Sequence, residues 1–148
     1  HVAAVLAAGA SGARIGTRLA ATVESGSHPD YLAALVGASE SDTVLTEAFG
    51  AGWPNAPHRV LTSCVHAAGA FAGEAVAQMQ TPDGLRTVGR FSPEAPRLGM
   101  TGTIGAMALY AGQSVGAVKS IQTAADVVQE LASGAAQLLA ACQMGVSK

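Results

Sequence analysis

The strongest candidate for chemistry is the segment "RIGT" (14–17), in which a short apolar run ends in Gly-Thr and another apolar run follows. Glycine has no Cβ, so the backbone at Gly16 can approach a ligand closely. If a helix begins at Thr17, its first amides are unpaired donors at the positive end of the helix dipole, and the hydroxyl adds another donor. Such donors suit a phosphate, as in the loops after the last strands of (β/α)₈ barrels. The same spacing also fits an ordinary strand-to-helix turn, and both interpretations stay open at this point.

The remaining carboxylates and thiols form no recognisable catalytic group. Glu24 and Glu47 are isolated, so the sequence does not favour a glycosidase-type carboxylate pair. Cys64 and Cys142 lack metal-ligand spacing, and we expect no metal site. Two thiols in a chain of this length favour a reducing compartment, and the cytoplasm is the expected location. Cys64 has no basic neighbour and is predicted to be a small buried hydrophobe.

The histidines and the sole tryptophan are predicted to be structural. His28 precedes a proline at a helix start and is expected to cap that helix or to form a surface hydrogen bond. His66 lies in an apolar helix and is expected in the core or at an interface, and His58 is expected to be structural beside an Arg59 paired with an acid. General-base chemistry, the usual catalytic work of histidine, is the less favoured alternative for each. Trp53, in a Gly/Pro-rich loop, is expected to anchor packing or an interface rather than to stack on a substrate.

The elements that must position "RIGT" are predicted from local patterns. "HVAAVLAAG" (1–9) is apolar throughout and predicts a helix ended by Gly9, so the chain is expected to begin inside a helix of a longer protein. "GARIGT" (12–17) is short and bounded by glycine, which predicts a strand. "TRLAATVES" (17–25) follows as a short helical segment.

A second helix is predicted over 27–39, with Ser27 as its N-cap, Pro29 in its first turn and Asp30 placed favourably for the dipole. The last long helix opens near Thr123, whose spacing to Asp126 is that of a capping box, and runs to about Cys142. Between them the patterns predict a β-hairpin (43–49 with 58–63), a helix (63–80), a long irregular stretch (81–101), a helix (103–112) and a turn (113–118).

Composition narrows the class of protein. The chain has 148 residues, enough for one domain with a real core, and is 49% hydrophobic but only 12% charged. So little charge indicates that much of the surface is covered by something else. The net charge of −2 comes with scattered cations, which argues against nucleic acid and anionic membranes as partners. No apolar run reaches the roughly 18 residues of a membrane span, and the opening residues do not read as a signal peptide.

Several motifs in one order resemble the nitronate monooxygenase family. They are "LAAGASGARIGTRLAATVES", "SHPDYLAAL", "SDTVLT", "PHRVL" and "MALYAGQSVGAV", which together cover nearly the whole chain. Members of that family are FMN-dependent TIM barrels, and the related flavin-dependent enoyl-ACP reductases share the pattern. The resemblance implies an α/β fold, namely the C-terminal part of a (β/α)₈ barrel with its last strand, plus a mostly helical lid or extension containing a small β-hairpin.

The resemblance also implies roles for individual residues. Gly16 and Thr17 would contact the FMN phosphate, and Arg14 and Ile15 would complete the cofactor-lining segment, although many members carry Gln where this chain has Arg14. Tyr110 and Gln113 match a segment on the substrate side of the flavin. The strand with the other phosphate amides and the catalytic histidine would lie upstream of His1, so the catalytic residues are unknown here. The implied partners are a small-molecule substrate and the upstream remainder of the same barrel, and a homo-oligomer is compatible with the sequence.

By resemblance, the expected organisation is the end of the flavin-binding barrel over 1–22, a lid or extension over 23–101, and C-terminal helices packing back on the barrel over 102–148. The expected activity is FMN- and O₂-dependent oxidation of alkyl nitronates to a carbonyl compound and nitrite. One alternative is an NAD(P)H-dependent flavin reductase acting on an enoyl thioester or a quinone. Another, of a different class, is a non-catalytic interaction module built from Ala/Gly-rich helices.

Overall fold

The computed structural model describes residues 1–145. Five α-helices and five strands follow one another along this part of the chain, linked by 3₁₀ turns and loops. The helices are α1 (Val2–Ala7), α2 (Thr17–Ala20), α3 (Pro29–Gly37), α4 (Thr62–Ala70) and α5 (Ala124–Gly145). The strands are β1 (Thr43–Thr46), β2 (His58–Leu61), β3 (Ala75–Thr81), β4 (Gly84–Gly89) and β5 (Met100–Gly102).

The strands form two small antiparallel sheets. In one, β1 pairs with β2 from Thr43 opposite Leu61 to Thr46 opposite His58, which confirms the predicted hairpin. The other has the order β4–β3–β5. The core lies between the sheets and α3 and α4, and its largest fully buried side chains are Phe49, Leu35, Met100, Met107, Val60, Val115, Val118 and Val127. The chain is α/β as predicted, but its middle part contains more strand than the mostly helical extension we expected.

The helix ends follow their local sequence signals. α1 ends as predicted, with Gly9 at φ +94°, a conformation that glycine adopts without strain. α3 has Pro29 in its first turn, but its N-cap is His28 and not the predicted Ser27, because the Nδ1 of His28 accepts the Asp30 amide at 3.1 Å. At the start of α5, the Thr123 hydroxyl accepts the Asp126 amide and donates to the Asp126 carboxylate. The N-cap predicted there is confirmed, but the described hydrogen bonds do not include the reciprocal bond of a capping box, from the Thr123 amide to the Asp126 side chain.

The predicted strand over 12–17 is wrong as a paired strand. Residues 12–16 join no ladder among the described residues, and α2 begins directly at Thr17. A strand is defined by backbone hydrogen bonds to a neighbour, and parallel barrel strands need neighbours on both sides. Neither of the two sheets formed by the described residues includes the segment.

The structure also corrects two predicted helices, 63–80 in part and 103–112 as a whole. The helix predicted over 63–80 ends at Ala70, and Ala75–Thr81 forms the central strand β3. Its pairing with β4 closes at Thr81 and Gly84, so the Pro82-Asp83 turn makes a hairpin inside the stretch predicted to be irregular. Polar Gln78 and Gln80 alternate with apolar residues, which is the period-two pattern of a strand. The alanines of this stretch favour a helix and obscure that pattern.

The segment predicted as a helix over 103–112 is a 3₁₀ turn, Ile104–Ala106, followed by extended backbone. Four consecutive residues, 106–109, are buried, which is typical of an extended segment covered on both sides. Its backbone bonds to β2, since the Leu61 amide donates to the Leu109 carbonyl at 2.9 Å. A short apolar run cannot be assigned to helix or strand from periodicity alone.

A buried hydroxyl ties α3 to this extended segment. The Tyr31 side chain is only 3% exposed, and its hydroxyl donates to the Tyr110 carbonyl at 2.6 Å. Burial raises the pKa of Tyr31 above its ordinary value, so the ring stays a neutral donor.

Replacing Tyr31 with phenylalanine keeps the ring but leaves the Tyr110 carbonyl without its donor. We expect the free energy of unfolding to fall by about 1–2 kcal/mol, as for other lost buried hydrogen bonds. Urea denaturation of the Y31F variant beside the parent chain measures this. The matched control is Tyr110→Phe. In the parent chain the Tyr110 hydroxyl donates to the Pro93 carbonyl at 2.7 Å from a less buried position, so its loss should matter less. An equal or larger loss in Y110F would contradict the assignment.

Candidate functional site

A cavity of about 660 Å³ lies where the two ends of the described chain meet. Its walls are α1, the extended segment 10–16, the start of α2, the 3₁₀ turn Gln113–Ala117 and one face of α5. All four residues of "RIGT" line it, together with Arg18, Ser114, Ala117, Val118, Glu130, Leu131 and Gly134. The structure therefore brings the predicted phosphate segment to the wall of this cavity.

Backbone amides without an acceptor and open space for a ligand lie together at Gly16. Gly16 caps α2, and the amides of Thr17 and Arg18 donate to no backbone or side-chain acceptor among the described residues. Unpaired amides are normal at the first turn of a helix, where an anion or water satisfies them. A Cβ built on Gly16 would meet no protein atom within 4 Å, so packing within the chain does not require glycine there. Close approach by a ligand is a physical reason for glycine at this position.

The Thr17 side chain links this turn to a distant part of the chain. Its Oγ1 accepts the Gly112 amide at 2.9 Å, across 95 positions of sequence. A hydroxyl has two acceptor lone pairs and one hydrogen to donate. Because this contact uses a lone pair, the hydroxyl hydrogen remains available for an acceptor in the cavity.

The side-chain charge in the cavity wall is mixed. Arg18 is engaged with the protein, since its guanidinium donates to the Ser120 carbonyl at 3.3 Å and lies 3.9 Å from a Glu130 carboxylate oxygen. Arg14 is exposed, and within residues 1–142 its guanidinium makes no hydrogen bond or ion pair. Arg14 is thus the arginine of the wall that is positioned to meet an anion.

The two residues expected on the substrate side lie elsewhere. Tyr110 does not line the cavity: its hydroxyl donates to the Pro93 carbonyl, and burial raises the pKa of its phenol. Gln113 opens the 3₁₀ turn whose later residues form part of the wall, without lining the cavity itself. The structure does not bring these two side chains together with "RIGT" in that cavity.

His28 and Cys64 behave as the sequence predicts, whereas His66 and Arg59 do not. His28 caps α3 as predicted, and His66 is exposed on α4 rather than buried in a core. Within the part of the chain that the structure describes, Arg59 pairs with no acid: its guanidinium donates to the carbonyl and hydroxyl oxygens of Thr43, because β1 places that residue beside it. Burial raises the pKa of Cys64 to about 11, so this thiol is a poor nucleophile.

Sequence reasoning missed the part of the wall that α5 supplies. Glu130, Leu131 and Gly134 come from the helix that α1 packs against, and nothing in their local pattern marks them. The hydrogen bond between Gly112 and Thr17 is not predicted by the sequence either, although Gly112 belongs to the motif "MALYAGQSVGAV". Only the folded arrangement shows that these two motifs touch.

A model of one protein family matches the chain over residues 1–134, and its description is nitronate monooxygenase. The chain belongs to the nitronate monooxygenase family. Members of this family are flavin-dependent oxidoreductases that use FMN. A comparison with curated proteins gave no match.

Two solved structures share the fold. FabK from Thermotoga maritima has a TM-score of 0.67 and 25% identity, covering 95% of this chain and 42% of FabK. The M276A mutant of the same enzyme has a TM-score of 0.58 and 22% identity, with 96% and 39% covered. The chain therefore spans about two fifths of the length of these structures, and together with the family match this implies a fragment of a TIM barrel.

Two kinds of feature are absent from residues 1–145. No helix there combines the length and apolarity required to cross a bilayer. In the same residues, no three His, Cys, Asp or Glu side chains are grouped so that they could hold a metal ion.

Proposed function

We propose that this chain supplies one half of the site that binds the FMN phosphate in a flavin-dependent oxidoreductase. The observation that carries the proposal is the turn at Gly16 and Thr17. Two unpaired amides, a free hydroxyl hydrogen and open space above Gly16 meet there at the wall of a 660 Å³ cavity. That donor set fits a phosphate group, which accepts hydrogen bonds from helix-start amides without needing a metal ion.

In this proposal each residue has a distinct task. Gly16 lets the backbone approach the phosphate, and the Thr17 amide and hydroxyl donate to its oxygens. Arg14, which has no partner in the described chain, adds a positive charge, and Ile15 contributes apolar contact. Tyr110 and Gln113 remain proposed for the substrate side, which requires the rest of the active site to approach them from beyond this cavity.

The proposed reaction is oxidation of an alkyl nitronate by O₂ to a carbonyl compound and nitrite. FMN, when bound, supplies the electron transfer, while the protein positions and tunes it. A base that would remove the proton next to the nitro group of a neutral nitroalkane, and so form the nitronate, is expected upstream of His1. These 148 residues are therefore proposed to hold an incomplete active site. The proposed division is a barrel end over 1–22, an extension over 23–101 and returning helices over 102–148, in a cytoplasmic enzyme.

The remainder of the barrel is proposed to cover the apolar surface beside the cavity. No side chain of α1 is buried, although all six residues of that helix are apolar, and Val5 is 43% exposed. On α5, Val128 and Leu138 are 57% and 59% exposed. Surfaces of this kind are normally packed against other protein.

A reductase is the second candidate, because the likeness to FabK extends over 95% of this chain. Such an enzyme would use NAD(P)H to reduce flavin and then an enoyl thioester or a quinone. A site that binds the FMN phosphate serves both chemistries equally, so the residues of this chain do not separate them.

Purification of the protein that carries this chain with its upstream region tests the proposal. We expect a yellow protein that releases FMN on denaturation and can be reconstituted with it. Consumption of O₂ with an alkyl nitronate supports the monooxygenase, whereas oxidation of NAD(P)H with an enoyl thioester or a quinone supports the reductase. A folded, colourless protein that takes up no FMN would overturn both and favour a non-catalytic interaction module.

A further inference from the structure

A cluster of aromatic rings lies outside the cavity wall, around His58. The planes of the Trp53 and His58 rings are nearly parallel, at 4° with centroids 6.1 Å apart. Tyr110 meets the imidazole edge-on at 5.5 Å, and Phe49 lies 6.3 Å away. Phe91 extends the cluster from Phe49 at 6.0 Å. None of these residues lines the cavity assigned to the phosphate.

Only one of the two ring nitrogens of His58 has a hydrogen-bond partner among the described residues. His58 is 8% exposed, and its Nδ1 lies 2.8 Å from the Ala56 carbonyl oxygen. A carbonyl only accepts, so Nδ1 carries the hydrogen. Nε2 is buried and has no hydrogen-bond partner among the described residues. A buried polar atom without a partner disfavours the conformation that buries it.

Trp53, whose ring is parallel to that of His58, belongs to a loop with few buried side chains. We call residues 50–57 the Trp53 loop; all of them except Gly50 and Ala56 are exposed, and Trp53 itself is 51% exposed. Few buried contacts are the mark of segments that open locally. Its described backbone bonds include the Trp53 amide to the Gly50 carbonyl at 2.8 Å and the Ala51 amide to the Phe91 carbonyl at 3.3 Å.

The backbone around the cluster is also strained. Asn55 within the loop and Phe91 beneath it have φ values of +55° and +63°, and these are the only non-glycine residues of positive φ in the described chain. Asparagine tolerates this conformation, but for a bulky phenylalanine it is unfavourable. Such strain is characteristic of clamps and switch segments.

We propose that the Trp53 loop is a lid with a closed and an open state. In the closed state the indole lies over the imidazole and Nε2 is cut off from water. In the open state the indole moves into solvent, water hydrates Nε2, and the ring faces of Phe49, Phe91 and Tyr110 become accessible. Trp53 loses little on opening because half of its surface is already exposed, while Nε2 gains a hydrogen bond.

Amide hydrogen exchange on the full chain tests this directly. The Trp53 amide should exchange through local opening, at a rate insensitive to low concentrations of urea. The Leu61 amide, bonded to the Leu109 carbonyl at 2.9 Å within the core, should exchange only through global unfolding. If the Trp53 amide exchanged with the same free energy and the same urea dependence as Leu61, the lid would be excluded.

A substitution tests the role of Nε2. His58→Phe keeps an aromatic ring for Trp53 to cover and removes the unpaired nitrogen, so exchange of the Trp53 amide should slow by about fivefold or more. Ala56 is only half-buried, so its carbonyl can be hydrated when the imidazole donor is lost. The control is H66F on the exposed face of α4, which should leave the rate unchanged. A folded H58F variant with an unchanged or faster rate would overturn the proposal, and the wild-type comparison above decides the matter if H58F does not fold.

Discussion

Replacing Thr17 with valine should weaken FMN binding by about ten- to a hundredfold, the effect of losing one hydrogen bond to a charged group. Valine has the shape of threonine but lacks the hydroxyl that is proposed to donate to the phosphate. It also cannot accept the Gly112 amide, which lies 2.9 Å from Thr17 Oγ1. Fluorescence titration of the apoprotein with FMN, in the protein carrying its upstream region, measures the change.

The control ligand is riboflavin, which has the same ring system without the phosphate. If Thr17 holds the phosphate, the variant T17V should lose affinity for FMN and keep its affinity for riboflavin. The control variant is T17S, which retains the hydroxyl and should bind FMN within about a few-fold of the parent protein. Equal losses for FMN and riboflavin in T17V would show that Thr17 acts only by holding Gly112 in place.

Replacing Gly102 with alanine should destabilise the fold by about 3 kcal/mol or more. Gly102 ends β5 with φ +125°, a conformation that an L side chain rarely adopts. A Cβ there would lie 2.5 Å from the Val76 carbonyl oxygen and 2.9 Å from the Ala77 Cα. Neither neighbour can move away easily, because both belong to the central strand β3 and that carbonyl accepts the Thr103 amide at 2.8 Å.

The matched control is Gly105→Ala, three residues further along. A Cβ on Gly105 would meet nothing within 4 Å, and its φ is ordinary. We expect the free energy of unfolding of the G105A variant to stay within about 1 kcal/mol of the parent value. Urea denaturation of both variants supplies the comparison, and a G102A chain as stable as G105A would contradict the described approach of β5 to β3.

Features that depend on neighbouring residues could be predicted from the sequence. Helix α3 begins with a proline and an acidic residue, and Thr123 and Asp126 form the cap of α5. These local signals predict both helix starts to within a residue or two. The β1–β2 hairpin was predicted because a Gly/Pro-rich loop separates two β-like runs. These signals act through contacts a few positions apart.

Features that depend on distant partners could not be predicted in this way. The extended segment 12–16 reads as a strand, yet it pairs with nothing described here, because pairing is a property of two segments. The buried run at 106–109 has no periodicity from which to choose between helix and strand. For the candidate site, "RIGT" was identified from its glycine and its resemblance, but the wall from α5 follows only from the packing of α1 on that helix.

The hydrogen bond between Gly112 and Thr17 determines when, during synthesis of the chain, the candidate site can form. A chain is synthesised from its N-terminus, so Thr17 leaves the ribosome long before Gly112 does. Until residue 112 has emerged and folded back, the Thr17 hydroxyl is free to rotate, and the wall formed by residues 114–118 is absent. The nascent protein therefore cannot complete the proposed phosphate-binding turn until these residues have folded, and FMN binding through it would begin only then.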